Sequence, residues 1–309
     1  MEKKIFKVTS LLMGNQFEIS AVSTSEEQAN RCINAGINEI KRIEKLLTTY
    51  HESSETNLIN RNAGIAAVTV SKEIFNLIER SIRISGITQG AFDITYGSID
   101  KGLWNFDTQM KSLPDKETAK EMVRLINYKN ILLDKENSTV FLKDKGMRIG
   151  FGGIGKGYAA EMAKTTMQQM GVSSGIVNAS GDLTTWGLQP NGEEWTIGIA
   201  NPNIVGEIFS FLKISGLAVA TSGNYEKFIV IDGKKYSHTI DPRTGLPVTG
   251  IKSVTIITKN AEIADAMATP VTIMGVKAGL HMINQIKDIE VIIIDDYDMI
   301  HHSKNIRFN

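Results

Sequence analysis

Apolar and polar residues alternate with two different periods along this chain, and each period predicts one type of element. Over residues 4–22 the period is two on both sides of Met13-Gly14-Asn15, which predicts two strands joined by a turn. Ser25 is a good N-cap for a following amphipathic helix that ends near Thr48. The predicted buried stripe of this helix consists of residues at helical spacing, namely Ala29, Ile33, Ile37, Ile40 and Leu47.

The same reasoning predicts the remaining elements. Helices are predicted at residues 72–85, 114–126, 155–170, 261–274 and 276–286. Pro270 lies inside the fourth of these helices, where its missing N–H predicts a kink. The polar stretch 49–62 is predicted to be a loop, and the glycine- and aromatic-rich stretch 90–106 to be irregular. Strands are predicted directly after Met147 and at residues 130–133, 139–142, 175–178, 195–199, 208–214, 218–221, 228–231, 254–257 and 290–294.

The order of these elements favours an α+β fold with mixed or antiparallel sheets and flanking helices. A doubly wound fold is disfavoured because the strands and helices do not alternate as βαβ units. Neither a repeat nor a low-complexity linker interrupts the pattern. We therefore expect residues 1–309 to form a single domain, and a division into two closely packed lobes with the functional site between them is left open.

The amino-acid composition limits the kinds of binding partner and metal site that we expect. Lys and Arg together number 34, as do Asp and Glu, so no net charge favours binding to nucleic acid. Hydrophobic residues at 42% and charged residues at 22% are typical of a globular protein. Cys32 is the only cysteine, which rules out an internal disulfide and disfavours a cysteine-based metal site. Its helical setting predicts a packing role.

The chain carries no strong membrane signal. No stretch reaches the roughly 18 apolar residues that a membrane-spanning helix needs. The basic start is followed by residues 5–13, which Lys7, Thr9 and Ser10 interrupt, and this makes a poor signal-peptide core. As the chain stands we expect a cytoplasmic protein. The alternative is an exported or membrane-anchored protein from which a signal segment has been removed.

A glycine-rich turn precedes the helix predicted at residues 155–170, with the sequence Gly150-Phe151-Gly152-Gly153-Ile154-Gly155-Lys156-Gly157. It fits the spacing G-x-G-x-x-G and nearly fits a P-loop. However, Gly157 stands where a P-loop needs Ser or Thr to hold magnesium, and residues 1–149 lack the pattern of a Rossmann unit. Glycines and a lysine at a helix start still favour an anionic ligand, because backbone N–H groups and the positive helix end point at it. The alternative is a tight turn without a ligand.

Asp265 and Thr269 are four residues apart on a predicted helix, so both lie on one side of it. A carboxylate and a hydroxyl in this arrangement can bind a hard cation such as Mg²⁺, with carbonyl oxygens and water completing the shell. The neighbours Ala264, Ala266 and Ala268 are small enough for another segment of backbone to come close. The alternative is a simple side-chain hydrogen bond on a helix surface.

His238 precedes a turn built from Asp241-Pro242 and Thr244-Gly245. Its ordinary pKa lies near working pH, so the imidazole is a candidate general base. A histidine that only hydrogen-bonds the turn backbone is the alternative. The other four histidines lie in a polar loop, in a helix and near the C-terminus, and are less suggestive; they are His51, His281, His301 and His302.

Taken in order, these segments resemble the ApbE family, the flavin transferases that move FMN from FAD to a Thr or Ser of another protein. The resemblance runs from about Met13 to Gly275. It is carried by Met13-Gly14-Asn15, Thr49-Tyr50 with Ser53-Ser54-Glu55 and Leu58-Ile59-Asn60, Gly90-Ala91-Phe92-Asp93-Ile94-Thr95 with Leu103-Trp104, the glycine turn continued to Tyr158-Ala159, Asn178-Ala179-Ser180-Gly181-Asp182, Ala220-Thr221-Ser222-Gly223-Asn224-Tyr225, the turn His238 to Gly245, and Ala264-Asp265 with Thr269.

The resemblance implies a role for particular residues. Asp265 and Thr269, together with the carbonyl of Gly153, would hold Mg²⁺. His238 would lie at the reacting centre, and Asp265 is the second residue expected to be catalytic. The FAD nucleotide would be lined by Met13, Tyr50, Ala91, Phe92, Asp93, Gly150, Lys156 and Ile240.

Two departures from the family pattern accompany the resemblance. Gly150 occupies the place where the family usually has Asp, so one expected nucleotide contact is missing. Pro270 directly follows Thr269 and is expected to bend the helix that carries the metal ligands.

The implied activity is Mg²⁺-dependent transfer of FMN from FAD to a Thr or Ser hydroxyl of an acceptor protein, with release of AMP. The expected partners are therefore FAD and a redox protein that carries a Thr- or Ser-containing flavinylation motif. Three alternatives stay open. They are hydrolysis of FAD to FMN and AMP, binding of FAD without catalysis, and a P-loop-like nucleotide-binding module, against which Gly157 argues.

Overall fold

The computed structural model describes residues 2–204, 206–223 and 228–306, and their fold is α+β, as predicted. The helices are α1 (Glu26–Leu47), α2 (Glu55–Arg61), α3 (Lys72–Ile87), α4 (Lys116–Met122), α5 (Gly155–Gln169) and α6 (Ala261–Ile283). The strands are β1 (Lys4–Leu12), β2 (Asn15–Ser23), β3 (Val68–Thr69), β4 (Ile131–Asp134), β5 (Thr139–Leu142), β6 (Gly175–Ala179), β7 (Asp182–Trp186), β8 (Trp195–Ala200), β9 (Ile208–Ile214), β10 (Ala218–Gly223), β11 (Phe228–Ile231), β12 (Lys234–Ser237), β13 (Ile251–Thr258), β14 (Ile289–Asp295) and β15 (Ile300–His302).

The centre of the fold is an eight-stranded sheet in the order β1-β2-β6-β7-β10-β13-β14-β15. Each pair of neighbours in this sheet is antiparallel. Three smaller sheets accompany it, with the orders β3-β5-β4, β8-β9 and β11-β12. The antiparallel arrangement confirms the sheet type that the sequence predicts.

Strand β10 shows how the layers are arranged. Ala218 and Ala220 belong to the main hydrophobic core, where α1, α5 and α6 pack on the sheet. Val219, which points to the opposite face, belongs to a second core with Trp195 and Ile197 of β8. The sheet is therefore covered by helices on one face and by the β8-β9 hairpin on the other.

Helix α1 begins and ends where its sequence predicts. The Ser25 hydroxyl accepts a hydrogen bond from the Gln28 N–H, and Glu26 and Glu27 lie in the first turn, where they interact favourably with the positive helix end. All five predicted core residues of this helix are buried, which confirms the predicted stripe.

The strand predicted after Met147 is wrong, because residues 147–150 do not pair with another strand. The backbone groups of Arg148 and Ile149 bind side chains instead. The Ile149 N–H donates to Asn60 Oδ1 at 2.8 Å, and the Ile149 carbonyl accepts from Asn60 Nδ2 at 3.0 Å. The Arg148 N–H donates to the Ser98 hydroxyl. Asn60 thus satisfies the polar groups that a neighbouring strand would otherwise satisfy.

Two other local predictions need correction. The predicted loop 49–62 contains α2, which the Ser54 hydroxyl caps by accepting from the Asn57 N–H. The kink in α6 lies at Gly275, with φ 80° and ψ 169°, rather than at Pro270. Only glycine adopts this φ without strain, so Gly275 is the point at which the predicted helices 261–274 and 276–286 meet.

Strand β7 was not predicted. It is buried along its whole length although its sequence is Asp-Leu-Thr-Thr-Trp, because it lies between β6 and β10 with layers on both faces. Within the described ranges no helix is long and apolar enough to cross a membrane.

Candidate functional site

The glycine-rich turn leads into α5, as predicted, and its helix start is capped from another helix. Ile154 is the N-cap residue of α5 and makes no side-chain cap hydrogen bond. Instead, Asp265 Oδ2 accepts a hydrogen bond from the Gly157 N–H at 2.9 Å. The carboxylate of α6 thus lies against the positive end of α5, where a negative charge is stabilised.

Gly157 makes this approach of the two helices possible. A Cβ atom at this position would lie 2.1 Å from the Ala261 carbonyl oxygen and 2.7 Å from Asp265 Cβ. A Ser or Thr, which a P-loop requires here, would therefore force α5 and α6 apart. The structure thus argues against the P-loop alternative and explains the glycine by close helix packing.

Two carboxylates and one ammonium group share the start of α5. Lys156 Nζ lies 2.6 Å from Asp182 Oδ2, and the Asp182 side chain is only 7% exposed. Burial and the charge of Asp182 raise the pKa of the Asp265 carboxyl to about 7, although Lys156 and the N–H groups of α5 oppose this shift. Burial also raises the pKa of the Asp182 carboxyl, and the Lys156 charge lowers it in part. With both carboxylates ionised, this cluster carries one excess negative charge.

This donor set fits a hard divalent cation. Asp265 provides a buried carboxylate and Thr269 a hydroxyl one turn further along α6. Gly153 precedes α5, and a Cβ there would lie 3.5 Å from the Phe92 ring. In the described parts of the chain no three His, Cys, Asp or Glu side chains cluster in a way that could hold a metal. A cation here would therefore take carbonyl and hydroxyl oxygens besides Asp265, which is the chemistry Mg²⁺ accepts.

A cavity of about 610 Å³ lies beside the start of α5. Four predicted nucleotide contacts line it, namely Met13, Tyr50, Gly150 and Lys156. Tyr50 is 98% exposed, so its ring is available to a ligand. Further lining residues that the sequence did not single out as contacts are Gly14, Asn15, Glu44, Leu47, Thr48, Thr49, Phe151 and Gly152. They come from the β1-β2 turn, from the end of α1 with the two residues after it, and from the glycine-rich turn, so only the folded chain brings them together.

The side chains of the block from Gly90 to Thr95 mostly make contacts within the protein. Ala91 and Phe92 are buried. Asp93 Oδ1 accepts from the Thr95 N–H and hydroxyl, and Oδ2 accepts from the Tyr128 N–H at 2.9 Å. Burial raises the pKa of the Asp93 carboxyl, and these hydrogen bonds oppose the shift. Asp93 lines a second cavity, of about 330 Å³, and its contact with a nucleotide stays a prediction.

The predicted histidine turn forms. The Asp241 carbonyl accepts from the Gly245 N–H at 2.9 Å, and the Asp241 carboxylate binds the Arg243 guanidinium. His238 is exposed and lies edge-to-face with Phe106, with ring centroids 6.4 Å apart. Ile240 is buried against Met122 and Val123.

His238 and Ile240 are not among the residues that line the 610 Å³ cavity, so their predicted roles stay predictions. In the block 220–225, the Thr221 N–H binds the Asp182 carboxylate, and the Thr221 hydroxyl lies 3.0 Å from that of Thr255. Asn224 and Tyr225 lie outside the described residues.

Fold and site together combine an α+β scaffold, a glycine-rich helix start beside a cavity, and a buried carboxylate from the neighbouring helix α6. The ApbE family model matches residues 13–293, and the chain belongs to the ApbE family. An FAD:protein FMN transferase of Klebsiella pneumoniae is 32% identical over 295 residues, which cover 95% of this chain and 90% of the relative.

Solved structures show the same fold. The ApbE protein of Thermotoga maritima superimposes with a TM-score of 0.86 at 29% identity, covering 97% of each chain. The apo form of the Pseudomonas stutzeri flavinyl transferase ApbE gives a TM-score of 0.85 at 24% identity, covering 98% of this chain and 96% of that one. The predicted family membership and fold are thus confirmed.

Proposed function

We propose that this chain is an FAD:protein FMN transferase that uses Mg²⁺ to move FMN from FAD onto a Thr or Ser hydroxyl of an acceptor protein. The observation that carries the proposal is the contact of Asp265 with the start of α5 beside the 610 Å³ cavity. This contact supports the proposal, because it brings a carboxylate that could hold a cation to the positive end of the helix that lines the cavity. The name of the Klebsiella relative supports the same activity.

The cavity is suited to hold FAD. Met13 and the exposed Tyr50 ring offer apolar and aromatic surface, while Lys156 offers a positive charge at the start of α5. The pyrophosphate would lie against Lys156 and the glycine turn, because the ammonium charge and the positive end of α5 favour anions there. We also infer that residues 1–309 form a single catalytic domain, and the family match over residues 13–293 supports this inference.

Asp265, Thr269 and the Gly153 carbonyl would hold Mg²⁺. A cation at this place would neutralise charge on the pyrophosphate and make the phosphorus of the FMN half more electrophilic. The chain itself contributes positioning, because the Gly157 N–H holds one oxygen of the Asp265 carboxylate. The preorganised donors of the glycine turn would stabilise charge that builds on the phosphoryl oxygens.

The transfer breaks one bond and forms another. The acceptor hydroxyl oxygen attacks the phosphorus of the FMN half, the bond from that phosphorus to the bridging oxygen breaks, and AMP leaves with the bridging oxygen. His238 would take the hydroxyl proton, since an exposed imidazole can exchange protons with both acceptor and solvent. The acceptor then carries FMN through a phosphoester bond.

Hydrolysis is the main alternative, because water could replace the acceptor hydroxyl in the same site and yield free FMN and AMP. Binding of FAD without catalysis is the other, and it is motivated by Gly150, which removes a side chain from the cavity wall. Both alternatives use the cavity but differ from transfer in their products.

A product analysis tests the proposal. The purified chain is incubated with FAD and with or without Mg²⁺ and an acceptor domain, and AMP is followed by chromatography. We expect AMP release that requires both Mg²⁺ and the acceptor. Rapid AMP release without acceptor would support hydrolysis, and tightly bound FAD without any AMP would support the binding protein.

A further inference from the structure

The ion pair between Lys156 and Asp182 is not explained by the roles assigned so far. Lys156 Nζ lies 2.6 Å from Asp182 Oδ2, and Lys156 is the second residue of α5. The next residue, Gly157, donates its N–H to Asp265. The charges of two buried carboxylates, Asp182 on β7 and Asp265 on α6, act on the Lys156 ammonium, and its ion pair is with Asp182.

The backbone around Asp182 is arranged to present its carboxylate at this place. Asp182 begins β7 directly after a tight turn in which Ser180 and Gly181 have φ values of 56° and 102°. The Gly181 N–H donates to Asn178 Oδ1 at 2.8 Å, which fixes the turn. The Thr221 N–H, from β10, binds the Asp182 carboxylate. Two neighbouring strands thus hold this carboxylate in position.

The pairing has a consequence for charge. Lys156 is 29% exposed and lines the cavity, so a phosphate can still reach its ammonium group. If Asp182 were neutral, the nearest buried negative charge for Lys156 would be Asp265. An ammonium paired with Asp265 would compete directly with a divalent cation for that carboxylate.

We propose that Asp182 is a positioning residue that holds the Lys156 ammonium towards the nucleotide cavity and away from Asp265, so that Asp265 stays available to a divalent cation. Both parts of this inference rest on the proposed function, the nucleotide part on FAD as the ligand and the cation part on the Mg²⁺ site at Asp265, but neither rests on the transfer step. Asp182 also restricts a long, flexible side chain, which reduces the conformational entropy that Lys156 loses when it binds phosphate.

The test measures Mg²⁺ affinity by titration calorimetry, without FAD and without acceptor, in four proteins. Counting Asp182, Lys156 and Asp265, the site charge is −1 in the native chain, 0 in Asp182→Asn, −2 in Lys156→Met and −1 in the double variant. We expect Asp182→Asn to bind Mg²⁺ at least about tenfold more weakly, because the released Lys156 ammonium would compete with the cation for Asp265. Lys156→Met should bind Mg²⁺ at least as tightly as the native chain, and the double variant should recover most of the native affinity.

Recovery in the double variant separates positioning from a structural role. If Asp182 only stabilised the fold, adding Lys156→Met would restore nothing, and that result would overturn the proposal, as would native Mg²⁺ affinity in Asp182→Asn. If Asp182→Asn fails to fold, Lys156→Met alone tests the proposal. Weaker Mg²⁺ binding in Lys156→Met than in the native chain would contradict the proposal. Glu262→Gln is the matched control, because Glu262 is a buried carboxylate on α6 that pairs with Arg80 instead.

FAD affinity is measured by fluorescence in the same proteins. Asp182→Asn should also weaken FAD binding in the presence of Mg²⁺, and Asp182→Glu should restore part of it. Unchanged FAD affinity in Asp182→Asn would overturn the nucleotide part of the inference. These binding results are independent of catalysis, so a native chain that binds Mg²⁺ as expected but transfers no FMN would contradict the proposed function and leave the role of Asp182 intact.

Discussion

The Gly157 nitrogen and Asp265 Oδ2 are 2.9 Å apart, and this hydrogen bond joins the start of α5 to the second turn of α6. The Asp265 carboxylate of α6 thereby replaces the side-chain cap that α5 lacks. The same carboxylate is the strongest candidate for a metal ligand. The proposed anion binding at α5 and the proposed cation binding at α6 would therefore be coupled through one buried side chain.

Replacing Asp265 by Asn should remove metal binding and FMN transfer while preserving the fold. The amide oxygen can still accept from Gly157, but the charge that attracts the cation is lost, and at 4 Å such a charge is worth about 4 kcal/mol at an effective dielectric of 20. We expect Mg²⁺ affinity and turnover to fall by at least about a hundredfold. Glu262→Gln, one turn earlier on α6, should retain both, and full activity of Asp265→Asn at low Mg²⁺ would exclude the metal assignment.

Replacing Gly157 by Ala should destabilise the protein. The added Cβ would lie 2.1 Å from the Ala261 carbonyl oxygen, so α5 and α6 must move apart. Overpacking of this kind typically costs about 1–3 kcal/mol, which denaturant unfolding can measure. Gly86→Ala is the matched control, because a Cβ there meets no atom within 4 Å and should leave stability unchanged or slightly raised. Equal stability of both variants would contradict the close helix packing.

Mg²⁺ affinity should depend on pH near neutrality. Burial and the charge of Asp182 raise the pKa of the Asp265 carboxyl to about 7. Only the ionised carboxylate binds the cation, so affinity should be full above this pKa and should decrease as the pH falls through it. Calorimetry in buffers of different ionisation enthalpy should show protons released on binding at pH 6. Affinity that is constant between pH 6 and 8 would contradict this prediction.

Replacing His238 by Gln should slow transfer with little effect on FAD binding. Loss of a general base typically costs about 10²- to 10⁴-fold in rate. The exposed position of His238 predicts little change in stability, which thermal unfolding checks. His281→Gln, at an exposed site on α6, is the control. Native turnover of His238→Gln with a saturating acceptor would exclude the residue as the base.

Replacing Gly150 by Asp should strengthen FAD binding. Gly150 lines the cavity, and an added Cβ meets no atom within 4 Å, so the fold can accommodate the side chain. One additional hydrogen bond is worth about 0.5–1.5 kcal/mol, which corresponds to an increase in affinity of up to about tenfold. Gly150→Ala controls for the loss of backbone freedom. A weaker FAD affinity in the Asp variant than in the Ala variant would show that this chain has no partner for the carboxylate.

Elements with a strong local signal could be predicted from the sequence. The stripe of α1 and its Ser25 cap are encoded within one stretch of chain, as is the end of α5 before Gly171, which has φ 90°. The strand predicted after Met147 failed because its partner is a side chain, Asn60, from a distant segment. Strand β7 was missed because the threonines in its middle do not give the apolar pattern of a central strand. Its central place depends on the order of the strands in the sheet, which the sequence does not show.

The residues of the candidate site also fall into those with a local sequence signal and those without one. Lys156 and Asp265 could be named from local patterns, namely a glycine-rich helix start and a helical Asp-Thr pair. Asp182 could not be assigned a role, because its meeting with Lys156 depends on how β7 lies against α5. The Asp93 carboxylate also accepts a hydrogen bond from the Tyr128 N–H, and no spacing in the sequence predicts this contact.

The intact mass of an acceptor domain tests the central claim most directly. The acceptor and a variant with its target Thr or Ser replaced by Ala are incubated with the chain, FAD and Mg²⁺, and AMP is quantified in parallel. We expect the native acceptor to gain one FMN through a phosphoester, one AMP to appear per modified acceptor, and the Ala variant to stay unmodified. FAD consumed to free FMN and AMP at equal rates with both acceptors would contradict the central claim.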